Sequence, residues 1–197
     1  MNKNIYLLLL LAIGGCAQVQ YETLPPDLKT LSIDGATFDA PPAGPWMVKT
    51  HTPLELEIGK TGSSEDETVI IDAFVFKPTA LEPGADFIKE VKQQEEQDTS
   101  APRFVMKVHE VVPVSIGSAT CARSHMVAED HSPAVHSGSG KMMILEIVSL
   151  NCLHPDHPDK AAFNVGYSER FYPGDEDPDF MQKALALVNS VQITKLY

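Results

Sequence analysis

Apolar residues recur along this chain with two periods, and the changes of period mark out its elements. Leu31 to Asp34 and Thr37 to Ala40 are short β-like pieces. The turn-forming run Pro41-Pro42-Ala43-Gly44-Pro45 separates them from Trp46. Trp46 to His51 and the alternating Leu54, Leu56 and Ile58 predict two strands, followed by a polar loop from Thr61 to Asp66. Thr68 to Lys77 is the strongest strand; its Val, Ile and Phe content predicts a central place in a sheet, and Pro78 ends it. From Gly84 to Gln97 the period becomes helical. Phe87, Ile88 and Val91 form one narrow apolar stripe, while Lys89, Glu90, Lys92, Glu95 and Glu96 face water. Arg103 to Ile116 returns to strand, with Pro113 predicting a bulge or an edge position.

Ala119 to Ala128 and Lys141 to Cys152 are the arms of a long hairpin. Glu129 to Gly140, rich in Ser, Gly, Pro and His, forms its mobile or functional loop. Leu153 to Lys160 is a turn by composition, and Ala162 to Tyr172 a further strand. Asp177 to Gln192 ends the domain as a helix, with Asp177 as N-cap ahead of Pro178. Phe180, Ala184, Leu187, Val188 and Val191 repeat at helical spacing along it. Nothing here has the alternating βαβ rhythm of a parallel sheet, so the expected class is α+β, an antiparallel sheet with helices on one face. The order of parts over residues 31 to 192 is a Pro-Trp corner, meander strands, one mid-chain helix, a long hairpin and a terminal helix. That order is similar to the PsbP-like fold, also found in small bacterial envelope lipoproteins, and the resemblance implies an α-β-α sandwich. It rests on element order and on no motif, so it carries over no functional residue.

The first residues obey a different logic. Met1 and Lys3 lead into an apolar run from Ile5 to Ile13 that is far short of the roughly 20 residues needed to span a bilayer. It ends in small residues, as a cleavable export signal does. Ile13-Gly14-Gly15-Cys16 resembles the lipobox of bacterial lipoproteins. The resemblance implies removal of residues 1–15, a diacylglyceryl thioether on Cys16 and a third acyl chain on its amine. Ala17 rather than Asp after the cysteine implies, by the same likeness, the outer membrane. Residues 16–30, polar and containing Pro25-Pro26, are then an extended tether, and 31–197 a single globular domain.

Charge and cysteines narrow the picture further. The chain carries a formal net charge of −12, from 15 Lys and Arg against 27 Asp and Glu. Loss of a leader whose only charged side chain is Lys3 makes it more negative, and such a surface disfavours nucleic acid. Export permits disulfides. With Cys16 taken by lipid, Cys121 and Cys152 remain, and a bridge between them is expected, worth about 3 to 4 kcal/mol in the chain-entropy model.

Candidate chemistry is sparse. On the first hairpin arm Cys121, Arg123, His125 and Val127 share a face, as do Met142, Ile144, Glu146, Val148, Leu150 and Cys152 on the second. Arg123 is the best candidate for gripping an acidic ligand, or else a partner for one of the many carboxylates. A Cys121–Cys152 bridge holds His125 and His154 on neighbouring backbones, and with His131, His136 or His157 nearby three imidazoles could hold zinc. The competing reading of His154-Pro155-Asp156-His157-Pro158-Asp159 is a proline-bounded turn with solvated side chains. Tyr167 and Glu169 face one way and Ser168 and Arg170 the other, so these four form no catalytic group; cross-strand pairing is expected of Glu169 and Arg170. Trp46 is expected to cap a core. Gly59-Lys60-Thr61-Gly62 lacks the first glycine and the helix of a phosphate loop. The expectation is a lipid-anchored, non-catalytic binding or accessory module of the periplasm, without cofactor, partnered by the membrane and an unidentified envelope protein. The alternatives are a metal-dependent hydrolase using the loop histidines, or a carrier with an apolar cleft between helix and sheet.

Overall fold

The computed structural model describes residues 21–78, 86–133, 135, 137, 138 and 140–196. The leader, Cys16 and His136 therefore lie outside the described residues. In chain order the elements are β1 (Glu22–Thr23), β2 (Thr30–Ile33), β3 (Ala36–Asp39), β4 (Met47–His51), β5 (Glu55–Thr61) and β6 (Thr68–Phe76). Then come α1 (Phe87–Asp98), β7 (Phe104–Ile116), β8 (Ala119–Asp130), β9 (Met143–Leu153), β10 (Ala162–Phe171), α2 (Phe180–Asn189) and β11 (Gln192–Ile193). Eight strands form one antiparallel sheet in the order β1-β4-β5-β6-β10-β9-β8-β7, and β11-β3-β2 form a second. The class is α+β, as expected. β6 lies beside β10 in the middle of the large sheet, with Val69, Ile71 and Ala73 buried on one face and Phe74 exposed on the other.

The expectation of helices on one face is overturned. Phe180, Ala184, Leu187 and Val188 of α2 pack in one core with Cys121, Cys152, Phe163 and Val165. Phe87 and Val91 of α1 pack in another with Ala122, Leu153 and Ala162. Cys121 and Ala122 are neighbours on β8, so their side chains stand on opposite faces, and one helix covers each. The physical reason lies in β10, which is buried in both registers of its alternation and so requires cover on both sides. The small sheet shares the α2 face: Leu31, Ile33, Ala36 and Phe38 belong to the same core. Its hairpin turns through Asp34-Gly35, with Gly35 at φ +84°, a two-residue link that needs a residue free to adopt positive φ.

Three boundaries move. Glu22–Thr23 pairs with β4, and Leu24 is buried with its N–H donating to Trp46 O at 2.9 Å, so the sheet begins inside the stretch read as tether. α2 is shorter than its apolar repeat: the Asp177 carboxylate caps the turn before the helix, accepting Asp179 N–H at 2.9 Å. After Ser190 the chain leaves the helix and adds β11 to β3, with Val191 still buried. Pro113 stands on β7, an edge strand, where its missing donor leaves no gap in a ladder; the register slips at Lys107, between Met106 and Val108. The hairpin loop is tied down at Ser137. Its N–H donates to Asp66 at 2.9 Å, its hydroxyl also bonds Asp66, and Tyr172 donates to the same carboxylate at 2.7 Å.

Candidate functional site

The two cysteines meet. Cys121 and Cys152 are cross-strand partners on β8 and β9, bonded at S–S 2.07 Å and fully buried in the α2-side core. The same register places Arg123 opposite Leu150 and His125 opposite Val148. Arg123 is half-buried, and its guanidinium makes no hydrogen bond or ion pair among the described residues. His125 Nε2 lies 2.8 Å from Glu146 Oε1.

His154 does not join them. It sits six residues beyond Val148, roughly 20 Å along the strand. Its ring is buried, with Nε2 2.9 Å from Thr194 O and Nδ1 accepting Asp156 N–H at 3.3 Å. With Thr194 O as its partner, Nε2 is the donor, and the ring locks the terminal segment against the turn. Gly35 leaves it room, since a Cβ there would stand 3.2 Å from His154 Cδ2. His157 stacks on His154 with centroids 5.8 Å apart, and His131 pairs with Glu129 at 3.1 Å. Among the described residues no three His, Cys, Asp or Glu side chains are grouped to hold a metal.

Glu169 is not cross-strand paired to a cation as expected. Its partners in register are Glu146 and Val69, its Oε2 has no hydrogen bond among the described residues, and burial, then Asp177, pushes it up to about 7. Arg170, on the other face, reaches Asp130 at 3.4 Å. Asp130 is held more closely by Arg103, through two bonds of 2.9 and 2.8 Å. Burial opposes its charge, but these contacts hold it below the usual carboxylate range.

A polar network runs beneath α1. The α1 face of β8, β9 and β10 presents Ser124, Ser149, Asn151 and Asn164, all buried. Ser124 lies opposite Ser149 and Asn151 opposite Asn164, so the register makes two polar cross-strand pairs. The acceptor shared by the two serines comes from the helix. Glu95 Oε1 accepts from Ser124 at 2.6 Å and from Ser149 at 3.3 Å, while Glu95 Oε2 lies 2.8 Å from His109 Nε2. The chain continues outward, Asn151 Nδ2 donating to Ser149 Oγ at 3.3 Å and Asn164 Nδ2 to Asn151 Oδ1 at 2.9 Å.

It ends at a cleft. Asn164 is 8 % exposed, and its Oδ1 accepts no hydrogen bond among the described residues. It lines a cavity of about 390 Å³ between α1 and the sheet, walled by Phe74, Phe76, Phe87 and Val91. Phe74 is 40 % exposed there, with its ring centroid 5.8 Å from that of Phe76. Glu90, Gln94, Glu95 and Asp98 of the helix, Asn151 of β9 and Lys77 of the strand end also line it. Aromatic walls around an amide whose neighbours are already fixed make a site that can hold an apolar body and bond one polar group at its end.

Sequence reasoning passed over this site. Ser124, Ser149 and Asn151 are unremarkable singly and become a unit only once strands are in register. The one available signal was Asn164, a polar residue inside the otherwise apolar start of its strand. A scan against protein-family models finds no match, and no curated protein matches the chain.

Proposed function

We propose that this chain is a lipid-anchored cell-envelope protein, acylated on Cys16 and facing the periplasm from the outer membrane. Its domain is a non-catalytic binding module that takes a small ligand, with an apolar body and one hydrogen-bonding group, in the cleft under α1. The observation that carries the reading is the polar network ending at Asn164: four buried polar side chains are costly in a core unless hydrogen-bonded, and this set is bonded throughout except where it faces the cleft. The helix on each face of the sheet supports the PsbP-like α-β-α arrangement that the element order implies. The leader and lipobox support the anchor, which raises the concentration of the domain near membrane-held partners. The charge of −12 supports partners other than nucleic acid. The hydrolase alternative needs His125 and His154 together, and their separation removes that support.

Two mass measurements test this. Intact protein from native membranes is expected to begin at Cys16 with added acyl mass; an unmodified chain beginning at Met1 would end the envelope reading. Organic extraction of the purified full-length protein is expected to release a small molecule that Asn164→Leu fails to retain. An empty wild-type extract, or equal retention by the variant, would sink the cleft.

A further inference from the structure

A second cavity lies on the opposite face of the sheet. It has a volume of about 490 Å³, within the range of small-molecule sites, and sits between the Pro41-Pro42 corner, α2 and the ends of β5 and β10. Its apolar walls include Trp46, Ile71 and Leu187, and Lys60, Tyr167 and Gln182 are among the polar groups that line it.

Neither Lys60 nor Tyr167 makes a side-chain hydrogen bond or salt bridge among the described residues; the Lys60 ammonium lies over Trp46 and within electrostatic reach of Asp177. Tyr167 is 5 % exposed, and its hydroxyl makes no hydrogen bond among the described residues. A buried phenol normally finds one. Its ring is fixed edge-on against Phe180, centroids 5.5 Å apart. Burial, then the charges of Asp177 and Glu169, raise its pKa, so the hydroxyl remains a donor. Lys60, half-buried, makes no salt bridge among the described residues, although acids outnumber bases 27 to 15 in this chain. Its Nζ stands 4.9 Å from the centroid of Trp46, whose Nε1 is anchored to Pro42 O at 3.2 Å. Lys183, by contrast, is committed to Asp177. An ammonium over an indole and a phenol, neither hydrogen-bonded to a neighbouring side chain, leave room for an acceptor, and an ionised carboxylate is a strong acceptor for both. Asp39 and Asp179 also line the cavity, which disfavours ligands carrying several negative charges.

We infer that this cavity is a second ligand site, taking a small molecule with an aromatic or branched apolar body and a single carboxylate bonded by Lys60 and Tyr167. Trp46 is the only tryptophan of the chain, so it reports occupancy directly. The test uses the full-length protein in detergent, titrated with 3-phenylpropionate and with its uncharged amide, by calorimetry and by Trp46 emission. The carboxylate is expected to bind at least about tenfold more tightly than the amide. Lys60→Met is expected to lose about that factor for the carboxylate alone, and Tyr167→Phe roughly three- to tenfold. Lys89→Met, on the exposed face of α1, is expected to leave both titrations unchanged, which separates loss of the Lys60 donor from loss of a positive charge elsewhere on the chain. No heat and no change in emission, or equal binding of acid and amide by the wild type, would overturn the inference without recourse to any variant. So would a Lys60→Met protein, folded by circular dichroism, that keeps its preference for the acid.

Discussion

The two faces of the large sheet are made by the same strands and built in opposite ways. On the α2 side, β8, β9 and β10 contribute Cys121, Val148, Leu150, Cys152, Phe163 and Val165, large or cross-linked and almost wholly buried. On the α1 side, the neighbouring positions are Ala122, Ser124, Ser149, Asn151, Ala162 and Asn164, small or polar. Small side chains let α1 approach the strands, but they provide little apolar area, and the helix itself buries only Phe87 and Val91. The α2 side therefore carries most of the stability. The α1 side is held by a smaller apolar cluster around Phe87 and Val91 and by hydrogen bonds to one carboxylate, and it leaves a cleft open. Cohesion and recognition are divided between alternate residues of single strands.

That division can be broken experimentally. Phe163→Ala, on the α2 side, is expected to cost about 3 to 5 kcal/mol in urea unfolding, and Phe87→Ala, beside the existing cleft, roughly half of that. Equal losses would erase the distinction. Replacing Cys121 and Cys152 together by Ala is expected to cost about 2 to 4 kcal/mol through the freed loop, with the midpoint in reductant matching that of the double variant. Glu95→Leu leaves Ser124, Ser149 and His109 without their acceptor, for about 1 to 3 kcal/mol. Amide exchange should then accelerate in α1 while β6 and β10 stay protected; acceleration throughout would mean that α1 is integral to the main core.

The smallest effect concerns pH. Glu169 and Asp72 are pushed up to about 7 and about 6, in both cases chiefly by burial, with Asp177 and Glu57 adding repulsion. The folded state thus holds these protons more tightly than the unfolded chain. Their contribution is fully present below the unfolded pKa and is lost as pH rises through 6 to 7. Asp130 works the other way, its contribution present above the unfolded pKa and lost as acid is added through its depressed value. Glu169→Gln is expected to stabilise by about 1 kcal/mol or more at pH 8 and by nothing near pH 4. Parallel melting curves for variant and wild type across that window would remove Glu169 from the account.

Much of this was legible in the residues. Alternation located β6, β7, β8, β9 and β10, the helical stripe located α1, and two cysteines on facing arms named their own bridge. Those features are local or follow from exclusion, because side-chain period is a property of the backbone conformation alone. Alternation says which residues share a face but not which helix lies on it, so α1 and α2 could be assigned to sides only by packing. Nor does it set register between strands far apart in sequence. The bond from Glu95 to Ser149 spans 54 positions, and Lys60 with Tyr167 converges from separate strands. The chain by itself determined the long strands and the presence of two helices, and it left two cysteines on facing arms for one bridge. Only the tertiary structure decided where polar groups would be left facing space, because that depends on which side chains are brought within hydrogen-bonding reach of one another.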